Sequence, residues 1–155
     1  MSNQLIIYTD GSSRGNPGPG GYGAILMWGD ARKELAAGYR KTTNNRMELL
    51  GVITALRAIT KPGQEISIFT DSKYIVDSVQ KGWLQGWLRK GFTGKKNEDL
   101  WRQYIEVARP HNVKFVWVKG HADNPFNNRC DVLATTAADS GNWLVDEGFE
   151  TGLYN

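Results

Sequence analysis

Two short segments of the sequence end in the same pair of residues, a threonine followed by an aspartate. Asp10 follows the apolar run at residues 6–9, and Asp71 follows the run at residues 66–70. Runs of β-branched and aromatic residues of this kind are typical of strands. If the two strands lie side by side and parallel, both carboxylates come together at the carboxyl ends, where open α/β sheets place their sites. Two neighbouring carboxylates repel each other unless a cation lies between them. The repeat therefore predicts a metal site.

Two further acidic residues suit the same site. Glu48 shares a face of a predicted helix with Val52 and Ala55, so it borders the apolar side of that helix, where a carboxylate needs a partner or a metal ion. Asp131 lies in a predicted helix later in the chain. Sites made only of oxygen ligands suit Mg²⁺ or Mn²⁺. With only two histidines and one cysteine in the chain, a zinc site of the usual kind is disfavoured.

Each acid also has an ordinary structural explanation when it is taken alone. Asp10 precedes a glycine, as aspartates in turns often do. Asp71 is in position to cap the N-terminus of a helix. Asp131 would lie early in its helix, where acidic side chains interact favourably with the helix dipole. Only the combination of the acids favours a metal site.

The hydrophobic pattern predicts an α/β fold with a mixed sheet. We expect three strands, a helix, a fourth strand, two helices, a fifth strand and a last helix, and the strand–helix–strand step predicts a parallel, right-handed crossover. The predicted strands span residues 5–9, 22–28, 34–39, 65–70 and 113–118, with a turn over the Gly- and Pro-rich residues 11–23. The first predicted helix begins at Asn45 and is closed by Pro62-Gly63. The others span residues 74–88, broken at Gly82 and Gly86, then 99–108 and 127–138.

Length and composition narrow the class of protein. The 155 residues suit one domain, with a core at 1–139 and an irregular tail at 140–155. Hydrophobic residues make up 40% and charged residues 23%, which is ordinary for a soluble protein. We expect no signal peptide and no membrane span. Because a single cysteine cannot form an intramolecular disulfide, we expect a cytoplasmic location.

Five blocks of sequence, in order, resemble a known family. They are YTDGS at 8–12, GNPGPGG at 15–21, TTNNRMEL at 42–49, TDS at 70–72, and the segment 118–131, which begins VKGH and ends in Cys130-Asp131. The chain resembles type 1 ribonuclease H of the bacterial kind over nearly its whole length. The resemblance implies a ribonuclease H-like fold, a five-stranded mixed sheet with three antiparallel and two parallel strands, flanked by helices. It also implies an endoribonuclease that hydrolyses the RNA strand of RNA–DNA hybrids, largely independently of sequence, and leaves 5′-phosphate and 3′-hydroxyl ends.

The same resemblance assigns catalytic roles. It implies that two divalent ions, Mg²⁺ with Mn²⁺ as an alternative, are held by Asp10, Glu48, Asp71 and Asp131. Asp10 would bridge both ions, and Glu48 would lie near the 2′-hydroxyl beside the scissile phosphate. Two metal ions are an established means of activating the attacking water and stabilising the leaving oxygen in phosphodiester cleavage. His121 matches a histidine that helps proton transfer or product release. His111 has no such match, and we expect it to be structural or solvated.

A basic and aromatic segment at residues 81–96 contains five basic residues and no acid. Taken alone, this segment fits an amphipathic helix with tryptophans in the core and solvated lysines. The resemblance implies instead the basic protrusion that grips the DNA strand of a hybrid. Trp83 would then contact a sugar, whereas Trp87 would serve mostly in packing.

Polar residues outside that segment complete the predicted substrate site. By resemblance, Thr43 and Asn97 bind a DNA phosphate away from the cut. Asn16, Asn44 and Asn45 match positions that contact the minor groove and 2′-hydroxyls, which side-chain amides suit because they both donate and accept hydrogen bonds. The candidate substrate-binding residues are Asn16, Thr43, Asn44, Asn45, Trp83, Arg89, Lys90, Lys95, Lys96 and Asn97.

Two other functions remain open. The first is a carboxylate nuclease of the same fold that acts on DNA, such as a junction resolvase or an integrase core. The second is a nucleic-acid-binding module without catalysis. The block at 43–45 and the basic segment favour hybrid cleavage over a DNA nuclease. The presence of all four acids disfavours a binding module without catalysis. We expect a monomer that binds RNA–DNA hybrid and no membrane. The chain departs from the family at Asn128, where an acid is common, and at Asp123, where glycine is frequent.

Overall fold

The computed structural model describes residues 4–119 and 124–152, and its strands form a mixed five-stranded sheet. The strands are β1 (Leu5–Ser13), β2 (Gly18–Trp28), β3 (Ala31–Thr42), β4 (Glu65–Thr70) and β5 (Asn112–Trp117). Their order in the sheet is β3-β2-β1-β4-β5. The first three are antiparallel neighbours, and β4 and β5 run parallel to β1. The predicted arrangement of three antiparallel and two parallel strands is confirmed.

Six helices accompany the sheet in the described residues. They are α1 (Asn44–Arg57), α2 (Lys73–Gln80), α3 (Trp83–Arg89), α4 (Glu98–Ala108), α5 (Pro125–Asp139) and α6 (Glu147–Glu150). Thr43, Ser72 and Asn124 begin three of them, because each side chain accepts a hydrogen bond from a backbone N–H of the first turn. Of these helices, none is long and apolar enough to cross a membrane.

Alternating residues of the strands face two separate hydrophobic cores. Ile7 and Leu26 pair across β1 and β2 and belong to the larger core, which also contains side chains of α1 and α4. Tyr8 and Ile25, the next pair along, belong to a smaller core with Cys130 of α5. Neighbouring residues of a strand point to opposite faces of the sheet. The sheet therefore lies between α1 and α4 on one face and α5 on the other.

Two glycines let the helices approach the sheet closely. A Cβ on Gly11 would clash with the backbone nitrogen of Glu48 in α1, and a Cβ on Gly23 would lie 2.5 Å from the carbonyl oxygen of Cys130 in α5. Only glycine permits this packing. Asp10 precedes Gly11 and pairs with Gly23 across the β1–β2 ladder. The two glycines therefore bring α1 and α5 to the level of Asp10.

The predicted turn over residues 11–23 is wrong. Strand β1 continues to Ser13 and β2 begins at Gly18, so residues 14–17 alone connect them. Apart from Gly15, which lies in this connection, the glycines of the stretch are strand residues. Gly21 and Gly23, for example, pair with Ser12 and Asp10 of β1, and α5 packs against both of them. Strand β3 is also longer than predicted, since it pairs with β2 along nearly its whole length, whereas β4 has the predicted bounds.

The helices differ from prediction at two points. Helix α1 ends at Arg57, before the Pro62-Gly63 pair that was expected to close it. The predicted break of the helix 74–88 at Gly82 is confirmed, because α2 and α3 are separate helices and Gly82, between them, has a φ of +76°. The predicted break at Gly86 is wrong, because Gly86 lies inside α3 and its N–H donates to the carbonyl of Gly82. The bounds of α4, β5 and α5 lie within two residues of prediction.

The tail after α5 is more ordered than the irregular segment that we expected. Leu144 forms an isolated bridge with Tyr39 of β3. Helix α6 follows, and the side chain of Asp146 caps it. Arg40 of β3 pairs with Glu150 through two contacts of 2.8 Å. The tail is therefore fastened to the outer strand β3.

Candidate active site

The two Thr-Asp pairs lie in register on neighbouring parallel strands. The β1–β4 ladder ends with Tyr8 opposite Phe69, so Asp10 and Asp71 each lie two residues past the last pair. Asp10 is still inside β1, which continues beside β2, and Asp71 directly follows β4. Parallel pairing thus brings the two carboxylates together, as the repeat in the sequence predicts.

Glu48 reaches the same point from α1. The helix begins at Thr43, whose hydroxyl accepts a hydrogen bond from the backbone N–H of Arg46 (3.3 Å). Glu48 is buried, and one carboxylate oxygen from each of Asp10, Glu48 and Asp71 lies within 4.8 Å of the others. The start of α1 and its close packing on β1 therefore place a third acid beside the first two.

Burial and mutual repulsion raise the pKa values of two of these carboxyls. The pKa of Asp10 rises from 3.8 to about 8, first because it is buried and then because of the charge of Asp71, against a hydrogen bond from the Gly11 N–H (2.9 Å). The pKa of Glu48 lies well above 4.5, first through burial and then through Asp10 and Asp71. Such acids cannot all ionise together in a poorly solvated site unless a cation compensates them.

The donor set fits a hard divalent cation. Within the described part of the chain, the buried Oε2 atom of Glu48 and the buried hydroxyl of Thr9 have no hydrogen-bond partner. A buried carboxylate oxygen without a partner is unfavourable, and a cation beside it would satisfy it. The same cation would lower the raised pKa values of Asp10 and Glu48. Oxygen ligands of this kind are those that Mg²⁺ and Ca²⁺ take in proteins.

Asp131 approaches this cluster from α5 but is exposed to solvent. Its charge contributes to the raised pKa of Asp10. It follows Cys130, whose carbonyl lies against Gly23, the cross-strand partner of Asp10. Its carboxylate lies outside the group that fits within 4.8 Å in residues 4–119 and 124–152. The structure thus brings three of the four predicted acids together and leaves the fourth at the edge of the cluster.

The ordinary structural explanations for the acids do not hold. Asp10 lies within β1 rather than in a turn. Ser72, not Asp71, caps α2, because its hydroxyl accepts from the N–H of Ile75 (3.2 Å). Asp131 lies in the second turn of α5, beyond the first turn in which the helix dipole favours an acid.

Comparison with known proteins identifies the family. A family model described as RNase H matches residues 2–139. The chain belongs to the ribonuclease H family. A relative from Synechocystis sp. named ribonuclease HI is 48% identical over 153 residues, which cover 95% of this chain and 95% of that protein. The family is divalent-metal dependent, in agreement with the acidic cluster of this ribonuclease H.

Solved structures of other ribonucleases H share the fold. LC9-RNase H1, a type 1 RNase H with the type 2 active-site motif, has a TM-score of 0.79 and 29% identity, and the match covers 100% of this chain and 82% of that one. LC11-RNase H1, solved in complex with an RNA/DNA hybrid, has a TM-score of 0.65 and 26% identity, covering 89% and 99% of the two chains. The predicted type 1 ribonuclease H fold and enzyme class are confirmed.

Several predicted substrate-binding residues of this ribonuclease H surround one small cavity. Its volume is about 130 Å³, and it is lined by Asn16, Thr43, Asn45, Lys96, Asn97 and Phe149. The Oδ1 atom of Asn16 accepts from the backbone N–H of Asn44 (2.9 Å), which ties the β1–β2 turn to the start of α1. Asn16, Asn44 and Asn45 are exposed, whereas Asn97 is buried.

The basic segment combines exposed charge with one packed tryptophan. Trp83 is 45% exposed, and Lys81 lies over its ring at 5.5 Å. Trp87 packs edge-on against the buried Trp101 with ring centres 6.0 Å apart, which confirms its predicted packing role. The ammonium group of Lys95 lies over the ring of Trp87, 5.4 Å from its centre. The predicted phosphate partners are all exposed: Arg89, Lys90, Lys95 and Lys96.

Two predicted positions lie outside the described residues. His121 is one of them, so its auxiliary role stays a prediction, and Asp123 is the other. His111 is structural, as expected, since its Nδ1 atom accepts from the backbone N–H of Gln64 (3.2 Å). Beside the departure at Asn128, Arg129 binds Glu34 of β3 through two contacts of 2.9 Å. Arg129, followed by Arg32, lowers the pKa of that carboxyl to about 2. This ion pair links α5 to β3.

The sequence analysis missed Arg46, which is fully buried two residues before Glu48. The sequence nevertheless contains a pattern that indicates a buried arginine. Arg46, Leu49 and Ile53 are spaced as one face of a helix, so the pattern places a cation among apolar side chains, where it needs partners. One of those partners is Asp146 in the tail, for which the sequence offers no signal.

Proposed function

We propose that this ribonuclease H is an endonuclease that hydrolyses the RNA strand of RNA–DNA hybrids with little sequence preference. Its products would carry 5′-phosphate and 3′-hydroxyl ends. The observation that carries the proposal is the cluster of Asp10, Glu48 and Asp71 in a chain of the ribonuclease H family. The hybrid bound by the related LC11-RNase H1 supports the choice of substrate.

The acids would hold two Mg²⁺ ions, with Mn²⁺ as an alternative. Asp10, Glu48 and Asp71 would hold them, because one oxygen of each lies within 4.8 Å of the others, and Asp131 would complete the set. Bound divalent ions activate the attacking water and neutralise charge on the leaving oxygen. The chain itself keeps the ligands in place: the Gly11 N–H holds one oxygen of Asp10, and burial holds Glu48 against it. Glu48 would also lie near the 2′-hydroxyl beside the scissile phosphate.

The small cavity beside α1 would bind a phosphate of the DNA strand. Asn16 uses its oxygen to accept from the start of α1, and Asn97 uses its oxygen to accept from Arg46. Both amides therefore keep N–H groups that can be donated to a ligand. Thr43 accepts from a backbone N–H and keeps its hydroxyl hydrogen, and Lys96 adds a positive charge. A pocket of donors with one cation suits an anion, so we assign a DNA phosphate to Thr43 and Asn97.

Other residues would distinguish the two strands. Asn16, Asn44 and Asn45 are exposed at the start of α1 and offer amides to the minor groove, which in RNA is wide, shallow and lined with 2′-hydroxyls. Trp83 offers an exposed face for a sugar of the DNA strand. The basic side chains that would neutralise DNA phosphates are Arg89, Lys90, Lys95 and Lys96.

A cleavage assay with four substrates of one sequence tests this function. RNA–DNA hybrid, double-stranded RNA, double-stranded DNA and single-stranded RNA are each incubated with Mg²⁺ or with EDTA, and the product ends are determined by mass spectrometry. Asp10→Asn serves as the inactive control. We expect cleavage of the hybrid alone, in its RNA strand and only with metal. An intact hybrid would contradict the proposal, and cleavage of double-stranded DNA would favour a DNA nuclease of the same fold.

Further properties follow from the same proposal. We infer that His121 assists proton transfer or product release, that residues 1–155 act as one domain, and that the enzyme works as a monomer in the cytoplasm. Cys130 is buried and free, which suits a reducing compartment. Light scattering of the purified protein, with and without a hybrid, measures the number of chains in the active species.

A further inference from the structure

The tail after α5 is connected to the substrate cavity through one buried arginine. Arg46 is 1% exposed and makes five hydrogen bonds. Two go to Asp146 of the tail (2.8 and 3.0 Å), two to Asp99 of α4 (2.9 and 2.6 Å) and one to the side-chain oxygen of Asn97 (3.3 Å). A guanidinium has five N–H donors, so each of them has a partner.

This arrangement decides which way the Asn97 amide points. A guanidinium offers no acceptor, so the oxygen of Asn97 faces Arg46 and its NH₂ group is turned to the hydroxyl of Tyr74 (3.2 Å). The Tyr74 hydroxyl is itself fixed by the indole N–H of Trp101 (2.8 Å). Asn97 also lines the cavity, where an anion would require donors. The NH₂ group has two hydrogens, so one N–H remains for the cavity after the bond to Tyr74. The orientation imposed by Arg46 therefore leaves Asn97 with a donor for a phosphate.

Asp146 is itself fixed by hydrogen bonds besides those with Arg46. The hydroxyl of Thr42 donates to its Oδ2 atom (2.7 Å), and its Oδ1 atom accepts from the N–H of Phe149 at the start of α6 (3.2 Å). Asp146 is buried, and Phe149 lines the same cavity. One carboxylate thus fixes Arg46 and also places part of the cavity wall.

We propose that Asp146 is a positioning residue for substrate binding, which acts through Arg46 to hold the Asn97 donor toward the phosphate of the DNA strand. The tail, which lies beyond the residues that match the family model, then forms part of the hybrid-binding site. The proposal rests on the proposed function, because it assumes that the cavity receives a DNA phosphate.

Charge and position predict opposite effects of Asp146→Asn. The substitution removes a negative charge near a cavity for an anion, so simple electrostatics predicts tighter binding of the hybrid. Positioning predicts weaker binding, because Arg46 loses an ionic partner and Asn97 loses its fixed orientation. Glu150→Gln is the matched control. It removes one charge from the same tail and weakens two contacts with Arg40, but neither Glu150 nor Arg40 is bonded to Arg46 among the contacts that the structure describes.

Hybrid binding is measured by fluorescence anisotropy in an inactive Asp10→Asn background, and kcat and KM are measured with Asp10 intact. We expect Asp146→Asn to raise Kd and KM about tenfold, the effect of losing one hydrogen bond to a charged group. We expect kcat to change by less than about twofold, since the acidic cluster is untouched. Glu150→Gln should leave both constants within about twofold of the wild type.

A series of hybrids, each with one uncharged methylphosphonate at a successive position of the DNA strand, separates positioning from a general structural defect. The wild type should lose affinity at one position away from the cut. Asp146→Asn should lose its sensitivity at that position and keep it elsewhere. Unchanged or tighter binding by Asp146→Asn, or retained sensitivity at that position, would overturn the proposal. Failure of the wild type to cleave the hybrid would overturn the proposed function instead.

Circular dichroism shows whether Asp146→Asn is folded at the assay temperature. If it is not, Thr42→Val replaces it, because that change removes one hydrogen bond to Asp146 and leaves every charge in place. It should raise Kd in the same direction by a smaller factor. A Kd equal to that of the wild type in a folded Thr42→Val protein would refute the positioning role.

Discussion

Replacement of Asp10 with asparagine should abolish nearly all turnover and, without metal, make the fold more stable. Asparagine keeps the size of the side chain and the oxygen that accepts from the Gly11 N–H. It removes the ionisable group whose pKa is raised to about 8, chiefly by burial and then by Asp71. Activity and stability should therefore change in opposite directions.

The sign of the stability change follows from the protons bound in each state. In the unfolded chain Asp10 ionises near its ordinary pKa of 3.8, whereas in the folded chain it keeps its proton up to about pH 8. Between these values the folded state binds more protons, so the free energy of unfolding of the wild type falls as pH rises. At 1.36 kcal/mol per pH unit, the loss between pH 4 and pH 7 is about 4 kcal/mol. Because Asp10 and Glu48 titrate together, we expect Asp10→Asn to be about 2–4 kcal/mol more stable at pH 7 and nearly equal at pH 4.

Urea denaturation of both proteins in EDTA at pH 4, 5.5, 7 and 8 measures this difference. Added Mg²⁺ should stabilise the wild type more than the variant, because a ligand that binds only the folded state raises its stability. A variant that is less stable than the wild type at pH 7 without metal would refute the account based on burial and repulsion. A stability difference that does not depend on pH would do the same. Near-wild-type cleavage by the variant would refute the assignment of Asp10 as a metal ligand.

Three further predictions test separate parts of the molecule. His121→Ala should slow kcat by about 10- to 10⁴-fold, as expected for loss of an acid–base group, and leave the Mg²⁺ affinity measured by calorimetry nearly unchanged; a large loss of affinity would make His121 a ligand. Gly23→Ala should lower the free energy of unfolding by about 1–3 kcal/mol, because its Cβ would lie 2.5 Å from the Cys130 carbonyl. Gly86→Ala within α3 is the control and should not destabilise the protein, because its Cβ would meet only the end of the Arg89 side chain, at 4.0 Å. A variant with alanine at Arg89, Lys90, Lys95 and Lys96 should bind the hybrid more weakly, and its binding should depend less steeply on salt. Its KM should rise and its kcat should change little. An unchanged salt slope would indicate that these side chains are merely solvated.

The acidic cluster could be predicted from sequence because its determinants are local. The Thr-Asp pairs end two runs with strand composition, and parallel pairing in register needs no further information to bring Asp10 and Asp71 together. Glu48 was predictable for a related reason, since its spacing from Val52 and Ala55 marks it as an acid on an apolar face. The local sequence pattern determined both the strands and helix that carry these acids and the direction in which their side chains point.

The extent of β1, β2 and β3 and the structure of the tail could not be predicted, because packing between distant segments decides them. Glycine disfavours strands when it is judged by local propensity, yet Gly21 and Gly23 lie in β2, where the backbone of α5 packs against them. Arg46 and Asp146 are 100 positions apart in the sequence. The sequence around either residue does not predict that the two will pair, although a buried arginine implies that some partner exists.

The two parts of the substrate site depend on the same helix. Thr43 caps α1 beside the small cavity, and Glu48 lies in the acidic cluster five residues later, about 7.5 Å along the helix axis. A change that shifts α1 should therefore affect both hybrid binding and cleavage. Asn97, by contrast, belongs to the start of α4 and contacts α1 only through Arg46 among the hydrogen bonds described. A disturbance that enters through the tail reaches Asn97 through the Arg46 guanidinium. If it reorients that side chain without shifting the backbone of α1, it should alter binding and leave the chemical step intact, which is the separation of KM from kcat expected for Asp146→Asn.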